Sequence, residues 1–400
     1  MTPGLSPTQQ TQILPPPVQR LMKALHEAGG EARVVGGAVR DVLLGRKVGD
    51  IDLAANLPPE QVMEILAQHK IKTVPTGLAH GTITAVVDHV GYEITTLRRD
   101  VETDGRHARV AFTDDWREDA ARRDFTFNAL YADSAGQLYD YFDGMKDAQA
   151  GHVRFIGEAQ ARIREDVLRI LRFFRFYAWF GKEAADVEGL AACRELAALI
   201  PRLSVERIAR EVIKLLAAEN PVPSWRLMSD SGVTPYFLVE ATNLMRLQAL
   251  VDNEKQYDEP PLALARLAAL LPQDEVVALS VAKRLKLSKR ESEKLCVLAK
   301  LPTLMRDHPL RRLLYHYGAE NCCAALFLHG ENMAQALGTL AAWENPVFPI
   351  KGEDIVKQGI PASPRIGDIL RAVEEWWIAG DFRAGREACL AQAHEHGKYP

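Results

Sequence analysis

The amino-acid sequence predicts a small α/β head followed by a long all-helical remainder. Two observations lead there. Up to Phe142, short apolar runs punctuated by glycine and proline alternate with helical spacing. Beyond Phe142-Asp143-Gly144, and clearly from Gly157, strand candidates become rare and apolar residues recur at helical intervals. The 400 residues leave room for roughly two to four domains.

Taken in order, residues 1–17 are expected to be frayed, because Pro15, Pro16 and Pro17 bar any helix across them. Val18, Leu21, Met22 and Leu25 predict a helix over 18–28. Ala32–Val35 reads as a strand ended by Gly36-Gly37, and Ala38–Leu44 as a short helix stopped by Gly45. Asp50–Ala54 reads as a second strand, and Pro58-Pro59-Glu60 opens a helix to about His69. Gly81–Val87 and Tyr92–Leu97 form a candidate hairpin around His89-Val90-Gly91. Residues 99–112 are polar and carry Asp104-Gly105, the pattern of an exposed loop. A helix over Trp116–Arg123 follows, then extended segments at Asn128–Ala132 and Gln137–Asp140. Helices are predicted over 158–180, 184–197 and 204–218, with a last major one over Ile366–Trp377. No fixed-period repeat is present.

Composition excludes several classes. With 47% hydrophobic and 26% charged residues the chain is not a mostly disordered one. No apolar run reaches the ~20 residues of a membrane span, so no membrane association is expected. The five cysteines (Cys193, Cys296, Cys322, Cys323, Cys389) lack the spacing of a disulfide framework or a zinc site. The first twenty positions carry no basic, apolar signal segment, and a cytoplasmic location is expected. A net charge of −4 rules out a uniformly basic coating protein, though not a local basic groove.

The densest chemical signal is Val35-Gly36-Gly37-Ala38-Val39-Arg40-Asp41-Val42-Leu43-Leu44-Gly45-Arg46, followed by Asp50-Ile51-Asp52. At strand period, Asp50 and Asp52 point the same way. Adjacent carboxylates repel and call for a cation, and oxygen-only ligation suits Mg²⁺ held together with substrate phosphates. The glycine pair lets backbone approach a ligand, and the following helix N-terminus offers N–H groups to phosphate. Each fragment alone is common in surface loops; the order and spacing single this one out. A second signal is Arg164-Glu165-Asp166-Val167-Leu168-Arg169 through Arg172, where a continuous helix sets 165/169 and 166/169 on one face. The plain alternative is a surface salt bridge of little energetic weight.

These motifs resemble the signature of the polymerase-beta nucleotidyltransferase superfamily, in the form carried by class II tRNA nucleotidyltransferases (CCA-adding enzymes) and bacterial poly(A) polymerases. The ordered motifs run from about residue 34 to 211. The resemblance implies a nucleotidyltransferase head over 18–142, a helical neck with a nucleobase-recognition helix over 143–218, a helical body over 219–300 and a helical, tRNA-binding tail over 301–400, the helical part being elongated. It implies two Mg²⁺ ions at Asp50 and Asp52, with Glu93 of Tyr92-Glu93-Ile94-Thr95-Thr96-Leu97-Arg98 as the third catalytic carboxylate. Nucleotide binding would involve Gly36, Gly37 and Arg40. In Arg122-Arg123-Asp124-Phe125-Thr126-Phe127-Asn128-Ala129 it would involve Arg123 at the triphosphate, Asp124 at a ribose hydroxyl, and Asn128 either at the sugar and phosphate or tying local backbone. Phe125 and Phe127 are expected in the core. Asp166 and Arg169 match the family's amino-acid template for the base edge of CTP or ATP, with Glu165 orienting Arg169 and Arg172 close by.

Residues 98–110 resemble the loop used in switching from C to A addition, or are a plain surface loop. Leu203–Glu211 resembles a structural neck motif. Lys283–Arg290 is either a tRNA-phosphate contact or a solvated face, and Gly359–Gly367 resembles the tail signature with departures. The activity implied is addition of CCA to the tRNA 3′ end from CTP and ATP, with release of pyrophosphate. The implied partner is the tRNA acceptor arm and 3′ end, with no obligatory protein partner. The alternatives are a poly(A) polymerase, a CC-adding-only enzyme, or a catalytically inactive RNA-binding protein.

Overall fold

Ala32–Val35 is buried at all four positions, which requires a strand inside a sheet covered on both faces. The computed structural model describes residues 4–103, 108–330 and 333–397. In chain order the strands are β1 (Ala32–Val35), β2 (Asp52–Ala55), β3 (Lys72–Gly77), β4 (Thr82–Val87), β5 (Val90–Thr96), β6 (Arg98–Thr103), β7 (Ala108–Phe112), β8 (Leu130–Ala132) and β9 (Leu138–Asp140). Seven of them form one mixed sheet ordered β3-β4-β5-β2-β1-β8-β9. The registers that matter for chemistry are Val35 opposite Asp52 across β1 and β2, and Leu53 beside Ile94 across the parallel pair β2 and β5. That second register sets Asp52 next to Glu93.

The helices of this first unit are α1 (Pro7–Ile13), α2 (Pro16–Glu27), α3 (Gly37–Leu43), α4 (Pro59–Gln68), α5 (Trp116–Ala121), α6 (Gly144–Ala150), α7 (Ala159–Glu165), α8 (Arg169–Phe180), α9 (Val187–Leu196), α10 (Val205–Leu216) and α11 (Val222–Asp230). Val18, Leu21, Met22 and Leu25 of α2 and Val62, Ile65 and Leu66 of α4 pack on one core with Val34, Leu53, Ile83 and Ile94 of the sheet. Val35, Ala54 and Tyr131 join Trp116 and Ala120 of α5 in a second cluster. Phe125 and Phe127 are buried, as expected, and lie 5.3 Å from the Phe176 ring of α8, so aromatic contact ties the sheet to the neck helices.

Several expectations need correction. The start of the chain is ordered: Ser6 and Gln9 make a capping box on α1, and Leu5, Ile13 and Leu14 are buried. Pro16 then opens α2 at positions where a helix has no N–H to lose. The second strand begins at Asp52, leaving Asp50 in the preceding loop. The hairpin turns at Asp88-His89, both at positive φ as a two-residue turn demands. Residues 98–103 and 108–112 pair as β6 and β7, so the expected loop is a hairpin whose tip, with Asp104, Gly105 and Arg106, lies outside the described residues. β3 was not expected. The single helix over 158–180 is two helices, because Asp166 is extended between α7 and α8.

The chain divides into two compact units, Met1–Val239 and Glu240–Pro400. The second is helical throughout its described residues: α12 (Leu244–Gln256), α13 (Ala263–Leu270), α14 (Glu275–Arg284), α15 (Lys289–Asp307), α16 (Leu310–Tyr317), α17 (Ala319–His329), α18 (Met333–Ala341), α19 (Gly352–Lys357), α20 (Arg365–Ala379) and α21 (Arg386–Gly397). A body–tail boundary at 300/301 would cut α15. Glu254 and Arg266, both buried, pair at 2.6 Å between α12 and α13. Around Trp377, Ile355, Ile369, Val373 and Cys389 build a separate core at the C-terminal end. In the Lys283–Arg290 cluster Arg284 pairs with Glu240, while Lys289 and Arg290 are exposed and lie 4.0 Å from Glu293 and 3.9 Å from Glu320.

Candidate active site

β1 ends against the α3 N-terminus through Gly36, whose φ of 73° and ψ of −121° are essentially open to glycine alone. A Cβ there would stand 3.6 Å from Nη1 of Arg123 and 3.5 Å from the Asn128 carbonyl. The turn therefore forms part of the wall of a cleft of about 730 Å³. Its lining brings together Gly36, Gly37, Arg40, Asp50, Asp52, Arg123, Asp124, Asn128, Asp166, Arg169 and Arg172 from segments spread over more than a hundred residues, as the motifs imply. It also holds Arg122, Arg175, Arg207 and Lys214. Two expected residues are not in its wall. Glu93 stands beside Asp52 on the neighbouring strand, and Glu165 acts from behind Arg169.

Within the acidic corner Asp52 is the perturbed carboxyl. The Asp52 carboxyl is held above its usual range, first by the protein around it, then by Glu93, then by Asp50. Among the described residues no three acidic, histidine or cysteine side chains converge closely enough to form a ready metal cage; what Asp52 shares with Glu93 and Asp50 is Coulombic influence between oxygen-donor groups.

The basic wall is held from behind by buried partners. Asp119 of α5 is 1% exposed and does not line the cleft, yet it anchors two of the arginines that do, Arg122 and Arg123. Its Oδ1 accepts from Nε and Nη2 of Arg122 at 2.8 and 2.6 Å. Its Oδ2 accepts from Nη2 of Arg123 at 3.0 Å and from the Tyr131 hydroxyl at 2.8 Å. These partners overcome the cost of burial and hold the Asp119 carboxyl far below the ordinary range. Sequence reasoning missed Asp119, although its i+3 and i+4 spacing to Arg122 and Arg123 was a usable signal.

Asp124 lines the cleft and is already engaged by neighbouring groups. Oδ1 accepts from the Phe125 amide and Asn128 at 2.9 and 3.0 Å, and Oδ2 accepts twice from Arg172, once at 2.6 Å. Its roughly four lone-pair positions are filled, so a ribose hydroxyl would have to displace Arg172. The Arg172 and Asn128 bonds pull the carboxyl down to about 2 against the cost of burial. Asn128 continues the chain by accepting from Nη1 of Arg40 at 2.6 Å, and Arg40 reaches Asp41 at 2.9 Å.

The template pair is also arranged differently from a shared helix face. Asp166 ends α7, accepts from the Leu168 amide at 3.1 Å and receives Nη2 of Arg207 at 2.9 Å. Arg169 opens α8 and donates to Glu165 at 2.7 Å and to the carbonyls of Arg162 and Arg122, both at 2.9 Å. Glu165 orients Arg169 as expected, while Asp166 pairs with Arg207. Arg207 of the neck motif thereby ties α10 to the end of α7 and also lines the cleft.

Comparison with known proteins gives the same picture. Residues 32–154 match the family model described as "Poly A polymerase head domain", and residues 186–245 match "Probable RNA and SrmB- binding site of polymerase A". The mitochondrial CCA tRNA nucleotidyltransferase 1 of Mus musculus is 36% identical over 378 residues, covering 90% of this chain and 86% of that protein. The CCA-adding enzyme of Lactobacillus johnsonii is 31% identical over 93% of this chain and 95% of its own length. Among solved structures, the Bacillus stearothermophilus CCA-adding enzyme in complex with CTP superposes with a TM-score of 0.72 at 27% identity, over 98% of each chain. With identity sustained from head to tail and the glycine turn, acidic corner and arginine wall in one cleft, the chain belongs to the class II tRNA nucleotidyltransferase (CCA-adding) family of the polymerase-beta nucleotidyltransferase superfamily.

Proposed function

We infer that this protein adds C, C and A to the 3′ end of tRNA, using CTP and ATP and releasing pyrophosphate at each step. The observation that carries the reading is the acidic corner of Asp50, Asp52 and Glu93 beside a glycine turn, faced by an arginine wall. That arrangement suits attack of an RNA 3′-hydroxyl on a nucleotide α-phosphate. Asp50 and Asp52 would hold the Mg²⁺ ions, which when bound lower the pKa of the attacking hydroxyl and neutralise charge on the leaving pyrophosphate. Glu93 orients the hydroxyl or accepts its proton. The Gly36-Gly37 turn and the amides opening α3 cradle phosphate, and the Asp119-anchored Arg123 presents its remaining Nη1 toward the same turn. Asp166 and Arg169 offer one acceptor and one donor fork to a base edge, a pattern that cytosine and adenine can satisfy. No described helix is long and apolar enough to cross a membrane. We propose a cytoplasmic location, the reading that five unpaired cysteines in this chain support.

The test is extension of a transcribed tRNA that lacks its CCA end, with products sized at one-nucleotide resolution. CTP alone should add two residues, CTP with ATP should add three, and UTP or GTP should add none. Long A tracts with ATP alone and no use of CTP would identify a poly(A) polymerase. A stop at CC with both nucleotides would identify a CC-adding enzyme, and no extension would leave an RNA-binding protein.

A further inference from the structure

A second cleft, of about 1080 Å³, opens from the first and shares Arg40, Asp41, Arg175, Phe176 and Lys214 with it. Its distinctive part is the end of α8 and the loop after α3. Trp179 is 38% exposed, and its position is pinned from two sides: the indole Nε1 donates to the Lys214 carbonyl at 2.7 Å, and its own carbonyl accepts from Nη2 of Arg46 at 2.6 Å. Lys47 and Lys182 line the same groove and are exposed. Two acidic residues line it: Asp41, already engaged by Arg40, and Glu219.

A cationic groove with a fixed, accessible aromatic side chain is the arrangement by which proteins track a single nucleic-acid strand, with phosphates along the cations and a base on the ring. The connection to the acidic corner is direct. The loop that brings Arg46 and Lys47 to the groove reaches Asp50 three residues later, a reach of at most about 10 Å. Resting on the reading above that the substrate is RNA, we propose that this groove receives the single-stranded 3′ end of the acceptor, one base stacking on Trp179 and its phosphates passing Lys47 and Lys182 on the way to Asp50 and Asp52.

The test uses the full chain with a transcribed tRNA lacking CCA, measuring RNA affinity by titration without nucleotide and, separately, KM and kcat for CTP addition. Trp179→Ala should weaken RNA binding and raise the RNA KM by between about fivefold and about a hundredfold, leaving the CTP KM and kcat at saturating RNA within about twofold. Trp179→Phe, which keeps a ring, should recover most of the loss. The surface variant Lys47→Glu/Lys182→Glu should flatten the salt dependence of RNA affinity by roughly one to two units of slope. If Trp179→Ala misfolds by circular dichroism, the Lys47→Glu/Lys182→Glu variant decides alone. Wild-type RNA affinity in Trp179→Ala, an unchanged salt slope in the lysine variant, or a change confined to inhibition by added pyrophosphate overturns the proposal. Wild-type protein that binds this tRNA but extends it with no nucleotide would instead overturn the functional reading and leave the groove to be judged by the titrations.

Discussion

At the scale of single residues, the acidic corner and its neighbours divide into groups that do chemistry and groups that hold those groups still. Asp50→Asn and Asp52→Asn keep size and hydrogen bonding while removing a charge that a cation needs. Each should cut nucleotide transfer by about a thousandfold or more, with tRNA affinity close to wild type by titration; near-normal transfer by either variant would refute the metal assignment. Asp119 belongs to the second group. Asp119→Ala leaves two guanidinium groups without their shared carboxylate, which should cost roughly 3–5 kcal/mol in denaturant unfolding and raise the CTP KM as Arg123 loosens. Its carboxyl titrates below the usual 3.8, so its contribution is present above that value and lost as pH falls through the folded-state pKa. The variant has already lost it, so its stability should fall less than the wild type's in acid. Spacing explains which residues were legible. Gly36-Gly37 and Asp50-X-Asp52 are local patterns and could be read directly, whereas the grip of Arg207 on Asp166 and of Arg172 on Asp124 spans 41 and 48 residues and has no local trace.

At the scale of elements, the break between α7 and α8 is the feature that spacing alone misjudged. Arg164–Arg172 has the pattern of a continuous helix, but Asp166 satisfies the Leu168 amide and Arg207 rather than the helical turn behind it. Tertiary hydrogen bonding outweighs a propensity of a few tenths of a kcal/mol per residue. The result is a polar corner in which Asp166 and Arg169 are held by different partners and reach the cleft independently. Asp166→Ala and Arg169→Ala should therefore both reduce discrimination of CTP over UTP and of ATP over GTP, by roughly 1–3 kcal/mol per lost hydrogen bond, while tRNA binding changes little. Values of kcat/KM for all four nucleotides check this, and wild-type ratios in both variants would make the pair purely structural. The β6–β7 hairpin and α1 were missed for a related reason. Their signals are short: a polar run that pairs with itself, and a Ser6-x-x-Gln9 capping box ahead of a proline tract.

At the scale of the whole molecule, every residue assigned here to chemistry or base recognition lies in the unit Met1–Val239, and the unit Glu240–Pro400 has its own buried ion pair and its own aromatic core. The change from mixed to helical pattern was visible in the sequence near Phe142. The division of the helical part was not, because helix follows helix across it with the same periodicity. Separate cores predict separable folding. A chain ended at Val239 should unfold cooperatively and bind CTP within a few-fold of the full-length protein, since the cleft with its Asp119 and Asp124 networks is complete within it. The same chain should bind whole tRNA at least tenfold more weakly, because a duplex is held by phosphate and shape contacts distributed over a long surface. It should keep more of its affinity for a short single-stranded RNA, which needs only the groove beside Trp179. Calorimetry with CTP and titrations with the two RNAs separate these outcomes. Loss of CTP binding by a folded fragment would mean that the second unit helps to shape the cleft, and undiminished tRNA affinity would mean that it takes no part in holding the substrate.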